Sequence, residues 1–478
     1  MSAVRGVLIF IMVIVLPISI LLLSIEFICH SSSGTAISTG SSEEPSGTNY
    51  GSESSAKISQ IRPSRKENAR TENSSKRSFP DTTEGIFVFN DQLSEEMSEG
   101  QIKFAATHYF GSQKLVRSLT RKLREYNPNF IVLHYRLGIG LGYRRTLGDC
   151  EPAGDYIMIV EGDQWIQEWP EDVEESWFYH INGSRVLNCV WGWYLVDLDD
   201  EGWRSYWANE VLRQLKENEN DGVFVDSFSV PNYLGPHCFN PPLPELDIEF
   251  EREWAKKLES FTEYMKGLLG DEYYWIPNVG AWITLRDPTN YLGADGVMIE
   301  GFSMWREGVY FHPEDWKLQM NRILNLSRKG KIIIAQTYVD GGVDARLFAL
   351  GSYLLIKGKH TYINLETSLL PEWFPEYELP IGHPIDPLPE NIDQFYVEEW
   401  GVYARRYSGG LVLVNPFQGS RHICLGSEKK YYIAYPCGGG VVPEDGKVPS
   451  SWRIKYYEVK QIDLPPHSAA ILIYRPKA

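Results

Sequence analysis

Asp221-Gly-Val-Phe-Val-Asp226-Ser-Phe228 is the stretch on which the reading of this chain turns. It opens on an Asp-Gly pair, which reads as a turn. An unbroken apolar run follows, the mark of a strand buried on both faces in a parallel sheet. A carboxylate stands where the strand stops. Asp295-Gly-Val-Met-Ile-Glu300-Gly-Phe302 repeats the pattern. A carboxylate just past such a run is costly to place unless it faces a polar cleft. Two in the same context suggest a pair of acid groups at the mouth of a parallel barrel.

Working outward, strands and helices alternate. Strands are expected at 85–90, 129–134, 194–197, 222–226, 273–278, 296–300, 331–336 and 360–364. Helices are expected at 112–125, 201–217, 250–269, 313–328 and 344–355, with a long connection over 138–190. Buried strands alternating with amphipathic helices imply parallel βα units. Eight of them fit a (β/α)8 TIM barrel, assigned to residues 81–394. From 395 to 478 the pattern changes to short strands at 402–407, 411–415, 431–435, 455–459 and 469–474, a small C-terminal antiparallel β-sandwich.

The N-terminal part is different. Residues 6–23 are almost wholly apolar, long enough to span a bilayer, so residues 1–29 read as an N-terminal transmembrane anchor or signal segment. Residues 30–80 are rich in Ser, Gly, Thr and charge and read as a disordered linker. Arg5 is the only charge before the apolar run, which puts the bulk of the chain outside the cell; cleavage would make it secreted. Glycosylation tripeptides start at Asn73, Asn182 and Asn325. Outside the cell, Cys424–Cys437 and one pair among Cys150, Cys189 and Cys238 are candidate disulfides. The net charge of -17 argues against nucleic acid as a partner, because phosphate binding needs a basic surface. Oligomeric state is not legible.

Active groups of a barrel sit at the C-terminal ends of its strands. Those ends supply Asn90, Asp91, His134, Tyr135, Arg136, Asp197, Asp226, Asn278, Glu300, Gln336, Asn364 and Glu366. Asp226 and Glu300 are the expected catalytic pair, because fourth and sixth strands can face each other across the mouth. Asp197 is the substitute. The other polar ends, with Trp193, Trp282 and Trp305, are candidates for holding a sugar, since aromatic faces suit pyranose C–H faces; for any single Trp, packing is the better explanation. Glycine-rich nucleotide loops, Gly-x-Ser-x-Gly elbows and His-Glu-x-x-His zinc helices are absent, so neither metal nor cofactor is expected.

The second strand, Ile131-Val-Leu-His-Tyr135, is followed by Glu175-Ser-Trp-Phe-Tyr-His-Ile-Asn-Gly-Ser-Arg185 and by Tyr194-Leu-Val-Asp-Leu-Asp-Asp-Glu-Gly-Trp-Arg204, and then by the Asp226 stretch. This series resembles hypothetical glycosyl hydrolase family fifteen and, more distantly, the endo-α-1,4-polygalactosaminidase-like barrels. The resemblance spans about residues 85–475 and includes Leu411-Val-Leu-Val-Asn-Pro416. It implies a (β/α)8 fold, a hydrolytic class and a strand-four Asp, here Asp226. The expectation is therefore a membrane-tethered extracellular glycoside hydrolase working on a carbohydrate substrate with two carboxylates. A non-catalytic carbohydrate-binding surface protein on the same scaffold is the alternative. A nucleotide-sugar transferase, suggested by Asp197-Leu-Asp199, is a weaker third.

Overall fold

A computed structural model of the chain describes residues 76–143, 150–151, 153–234, 236–245, 247–285, 287–365, 367–427 and 429–476. The apolar segment 6–23, Asn73 and Glu366 lie outside the described residues. Among the described residues, no helix is long and apolar enough to cross a membrane.

Eight parallel strands form the central sheet: β1 (Val88–Phe89), β2 (Tyr109–Gln113), β3 (Ile131–Leu137), β4 (Gly222–Asp226), β5 (Tyr274–Pro277), β6 (Gly296–Glu300), β7 (Ile332–Gln336) and β8 (Thr361–Asn364). Their order is β5-β4-β3-β2-β1-β8-β7-β6. A single parallel bridge between Asn278 and Met298 joins the two ends of the sheet and nearly closes the barrel. The strand expected at 194–197 is not part of it. Trp193–Leu195 instead pairs antiparallel with Gly140–Leu141 and Leu187–Asn188 in a small separate sheet. The missing barrel strand is β2, which lies partly inside the helix expected at 112–125; the observed helix is Arg117–Tyr126. With Gly111 and Ser112 at its centre, β2 carries too little apolar signal to stand out. One strand lost and one misplaced leave Asp226 on the fourth and Glu300 on the sixth.

The two Asp-Gly pairs are strand starts rather than tight turns. A Cβ on Gly222 would lie 2.5 Å from Tyr274, and one on Gly296 would lie 2.2 Å from the Ile332 carbonyl. Each Gly therefore lets a neighbouring strand approach. Asp221 accepts the amide of Val132 at 2.9 Å and Asp295 that of Trp275 at 2.7 Å, so each clamps the base of the preceding strand.

Side chains on alternate positions fill the barrel: Phe89, Ile131, Leu133, Phe224, Ile276, Met298, Ile332, Ile334 and Tyr362. Phe79 plugs the base, stacked near Phe89 and edge-on to Tyr274, so residues 76–80 of the expected linker pack on the barrel. The long insertion after β3 supplies three strands of the small antiparallel sheet, whose fourth, Phe239–Asn240, follows β4; it also holds a hairpin (Ile157–Glu161 with Gln164–Glu168) and the Cys150–Cys189 disulfide. Cys424 and Cys437, offered as a second bridge, are both free.

The C-terminal unit is a six-stranded antiparallel sheet faced by the pair Arg421–Cys424 and Gln461–Leu464. Leu411, Leu413, Ile423, Ile462, Leu464 and Leu472 fill the space between them. The other face of the large sheet, with Val412, Val414, Ile471 and Ile473, packs on the helix Val343–Ile356, buried from Ala345 onward. A helix apolar all round must be covered on every side.

Candidate active site

The carboxyl groups of Asp226 and Glu300 meet at the mouth of the barrel, joined by one side chain. Asn278, just past β5, donates from Nδ2 to Asp226 Oδ1 at 2.8 Å and to Glu300 Oε2 at 2.7 Å. Two bonds from one nitrogen hold those two oxygens within about 5.5 Å of each other, close enough for a shared substrate atom. Asn278 is itself fixed, because its Oδ1 accepts the Gly280 amide at 3.0 Å.

Each carboxyl has a second holder. Tyr135 Oη donates to Asp226 Oδ2 at 2.9 Å, and the Ser227 amide donates to Oδ1 at 2.8 Å. Ser227 adopts a left-handed φ of 54°, a strained conformation at the strand end beside the carboxylate. Tyr338 Oη donates to Glu300 Oε1 at 2.6 Å. Behind it runs a relay: Asn364 donates to Gln336 at 3.2 Å, and Gln336 donates to Tyr338 at 3.0 Å. Strand register makes this possible, since Glu300, Gln336 and Asn364 stand side by side on β6, β7 and β8.

Burial, and then the charge of Asp226, raise the pKa of Glu300; the bonds from Tyr338 and Asn278 and the charge of Lys114 oppose them. Burial beside these carboxylates also pushes both phenols far above the ordinary tyrosine value, so they stay donors. On the opposite side of the mouth, Lys114 bonds both oxygens of Asp91 at 2.9 Å. No group of three or more His, Cys, Asp or Glu suited to a metal exists among the described residues.

Asp91, Tyr135, Asp226, Asn278, Glu300 and Gln336 are thus brought together as the sequence suggests. Asn90 lies just beneath, accepting from Ser112 at 2.9 Å. Trp305 packs edge-on to Phe311 beside the Gly301 turn. Others fall elsewhere. His134 and Arg136 alternate with Tyr135 and so point outward, into the helix Glu201–Glu217. His134 bonds Gln214 at 2.9 Å, and burial, with Arg136 beside it, lowers its pKa to about 4. Arg136 forks onto Glu168 at 3.0 and 2.7 Å. Asp197, leaving the small side sheet, pairs with Lys257 at 2.6 Å. Trp193 packs on Phe239 in that sheet, and Trp282 is held under Arg322 and against Tyr291. Lys114 and Tyr338 were missed. Lys114 follows the unrecognised β2, and Tyr338 stands two residues beyond the end of β7; a correct β2 would have put Lys114 at a strand end.

The model of hypothetical glycosyl hydrolase family 15 matches residues 124–411, more than half of the chain, and covers both carboxyls. The chain belongs to that family. Its reaction class is therefore glycoside hydrolysis. None of the curated proteins matches it. Among solved structures it is similar to the glycoside hydrolase domain of PelA from Pseudomonas aeruginosa, at 12% identity over 59% of this chain and 96% of that one, with a TM-score of 0.37. It is also similar to the maltogenic alpha-amylase AmyB from Thermotoga neapolitana, at 12% identity over 82% and 99% of the two chains, with a TM-score of 0.38. At such low similarity no substrate passes from either protein to this one.

Proposed function

We propose that this glycoside hydrolase cleaves its substrate with retention of configuration, Asp226 acting as nucleophile and Glu300 as general acid and then base. The shared Asn278 donor carries the reading. Carboxyl groups about 5–5.5 Å apart suit direct attack on the sugar, whereas inverting enzymes need about 6.5–9.5 Å to admit a water. Glu300, whose pKa is raised by burial and by the Asp226 charge, gives its proton to the leaving oxygen as the C1–O bond breaks. Asp226, held by three donors, forms the bond to C1. Water then attacks C1, losing its proton to Glu300 and releasing Asp226.

The apolar segment 6–23 and the Cys150–Cys189 disulfide support a membrane-tethered barrel outside the cell, where disulfides persist. The test is a polysaccharide digestion screen of the full chain beside Asp226→Asn and Glu300→Gln, with the product anomer followed by NMR. The expected outcome is release of one anomer by wild type, with each variant slower by ~10²–10⁴-fold. Inversion would reject the nucleophile assignment. Glycan binding with no product from wild type would instead point to a carbohydrate-binding surface protein.

A further inference from the structure

Among the described residues, neither Asp226 nor Glu300 is bonded to a cation. Among the described residues their side-chain partners are Tyr135, Asn278 and Tyr338, all uncharged. Two carboxyl groups this close repel when both are ionised. The positive charge that serves them stands one step away. Lys114 leaves the end of β2 with a left-handed φ of 64°, costly for a residue with a Cβ. Its Nζ is tied to both oxygens of Asp91 and lies 5.5 Å from the ring centres of Tyr135 and Phe224, inside the mouth. Tyr135 is the same ring whose hydroxyl holds Asp226. The Lys114 side chain keeps 14% of its surface open and that of Asp91 19%, so both reach the cleft.

We propose that Lys114 is a positioning residue for the carboxyl pair: its ammonium, anchored by Asp91, is the cation that balances Asp226 and Glu300 and keeps one of them ionised. This rests on reading those two as the catalytic pair. Among the described residues, the titratable groups around Glu300 are Asp91 after β1, Lys114 after β2, Tyr135 on β3, Asp226 on β4 and Tyr338 after β7. Both tyrosines remain protonated, so Lys114 is the positive charge in that set. Asp91, Asp226 and Glu300 together outweigh the effect of its burial and hold its pKa above the ordinary lysine value. Gly would adopt this backbone conformation without cost, so the Lys114 side chain is carried there against a backbone penalty.

The experiment reads protonation and turnover separately. In the full chain, Glu300 and Asp226 are labelled with a water-soluble carbodiimide, which takes protonated carboxyl groups, and the labelled peptides are quantified across pH. Wild type is compared with Lys114→Met, Lys114→Gly and Lys114→Arg. Loss of the cation raises the midpoint of at least Glu300 by about one pH unit in the Met and Gly variants, and Arg stays near wild type. The Gly variant relieves the left-handed backbone while losing the same charge, so a midpoint shift shared by Met and Gly belongs to the ammonium and not to the backbone. Midpoints that do not move, with all three variants folded, overturn the proposal, and so does an equal shift in the Arg variant. Turnover is then measured on a polysaccharide panel. Wild type inactive on all of it, with the midpoints shifted, defeats the hydrolase reading and leaves Lys114 its role. Active wild type with unmoved midpoints does the reverse.

Discussion

At the scale of single residues, the site is a set of neutral donors arranged around two acids. Tyr338 donates to Glu300, and that bond favours the ionised carboxyl. Tyr338→Phe removes it, so the Glu300 pKa, already raised, rises further. Activity that needs protonated Glu300 is retained below its pKa and lost as pH climbs through it. The alkaline limb of the pH–rate profile should therefore move to higher pH in Tyr338→Phe; a shift to lower pH would contradict the assignment of Glu300 as acid. Asp226 and Glu300 could be found from sequence because a carboxylate ending an apolar run has few places to go. Asn278 and Gln336 were legible for the same reason of position. Tyr338 was not, because its hydroxyl reaches the mouth through a turn whose direction no local pattern encodes.

At the scale of elements, alternation along a strand decides which residues face the cleft. Tyr135 points inward, and His134 and Arg136, one residue to either side, point outward. All three occupy the polar end of β3, so sequence position alone groups them. Arg136 is wholly buried and paired with Glu168. Arg136→Met would leave the Glu168 carboxylate part-buried without its cation, a loss of roughly 3–5 kcal/mol by analogy with broken buried pairs. The expected result is a much lower denaturation midpoint with the pH–rate profile intact in whatever remains folded; a changed profile without destabilisation would return Arg136 to the cleft. The strand count shows the same limit. A run as apolar as 222–226 announces itself, whereas Tyr-Phe-Gly-Ser-Gln at 109–113 becomes a strand because Ile131–Leu137 is beside it to pair with.

For the whole molecule, the C-terminal sheet is packed against a barrel helix rather than hanging free of it. Gly351, on the buried helix Val343–Ile356, faces the sheet so closely that an added Cβ would lie 2.6 Å from that of Ala469 and 3.0 Å from Val414. Gly351→Val should therefore lower stability by about 1–3 kcal/mol, the usual result of overpacking, seen as a lower Tm. An unchanged Tm would mean that the two units are only loosely docked. The sequence by itself determined the alternation of strands and helices from residue 201 to 364, the switch to antiparallel strands near residue 395 and the two strand-end acids. Each of these follows from local hydrophobic periodicity and from the cost of leaving a charge beside an apolar run. Only the tertiary structure decided that Asn278 joins the two acids, that Lys114 stands above Tyr135 and that Asp197 turns away to Lys257. Those contacts join residues roughly twenty to sixty positions apart, and what sets them is the register of neighbouring strands and the closing of the sheet upon itself, neither of which is written in any short stretch of chain.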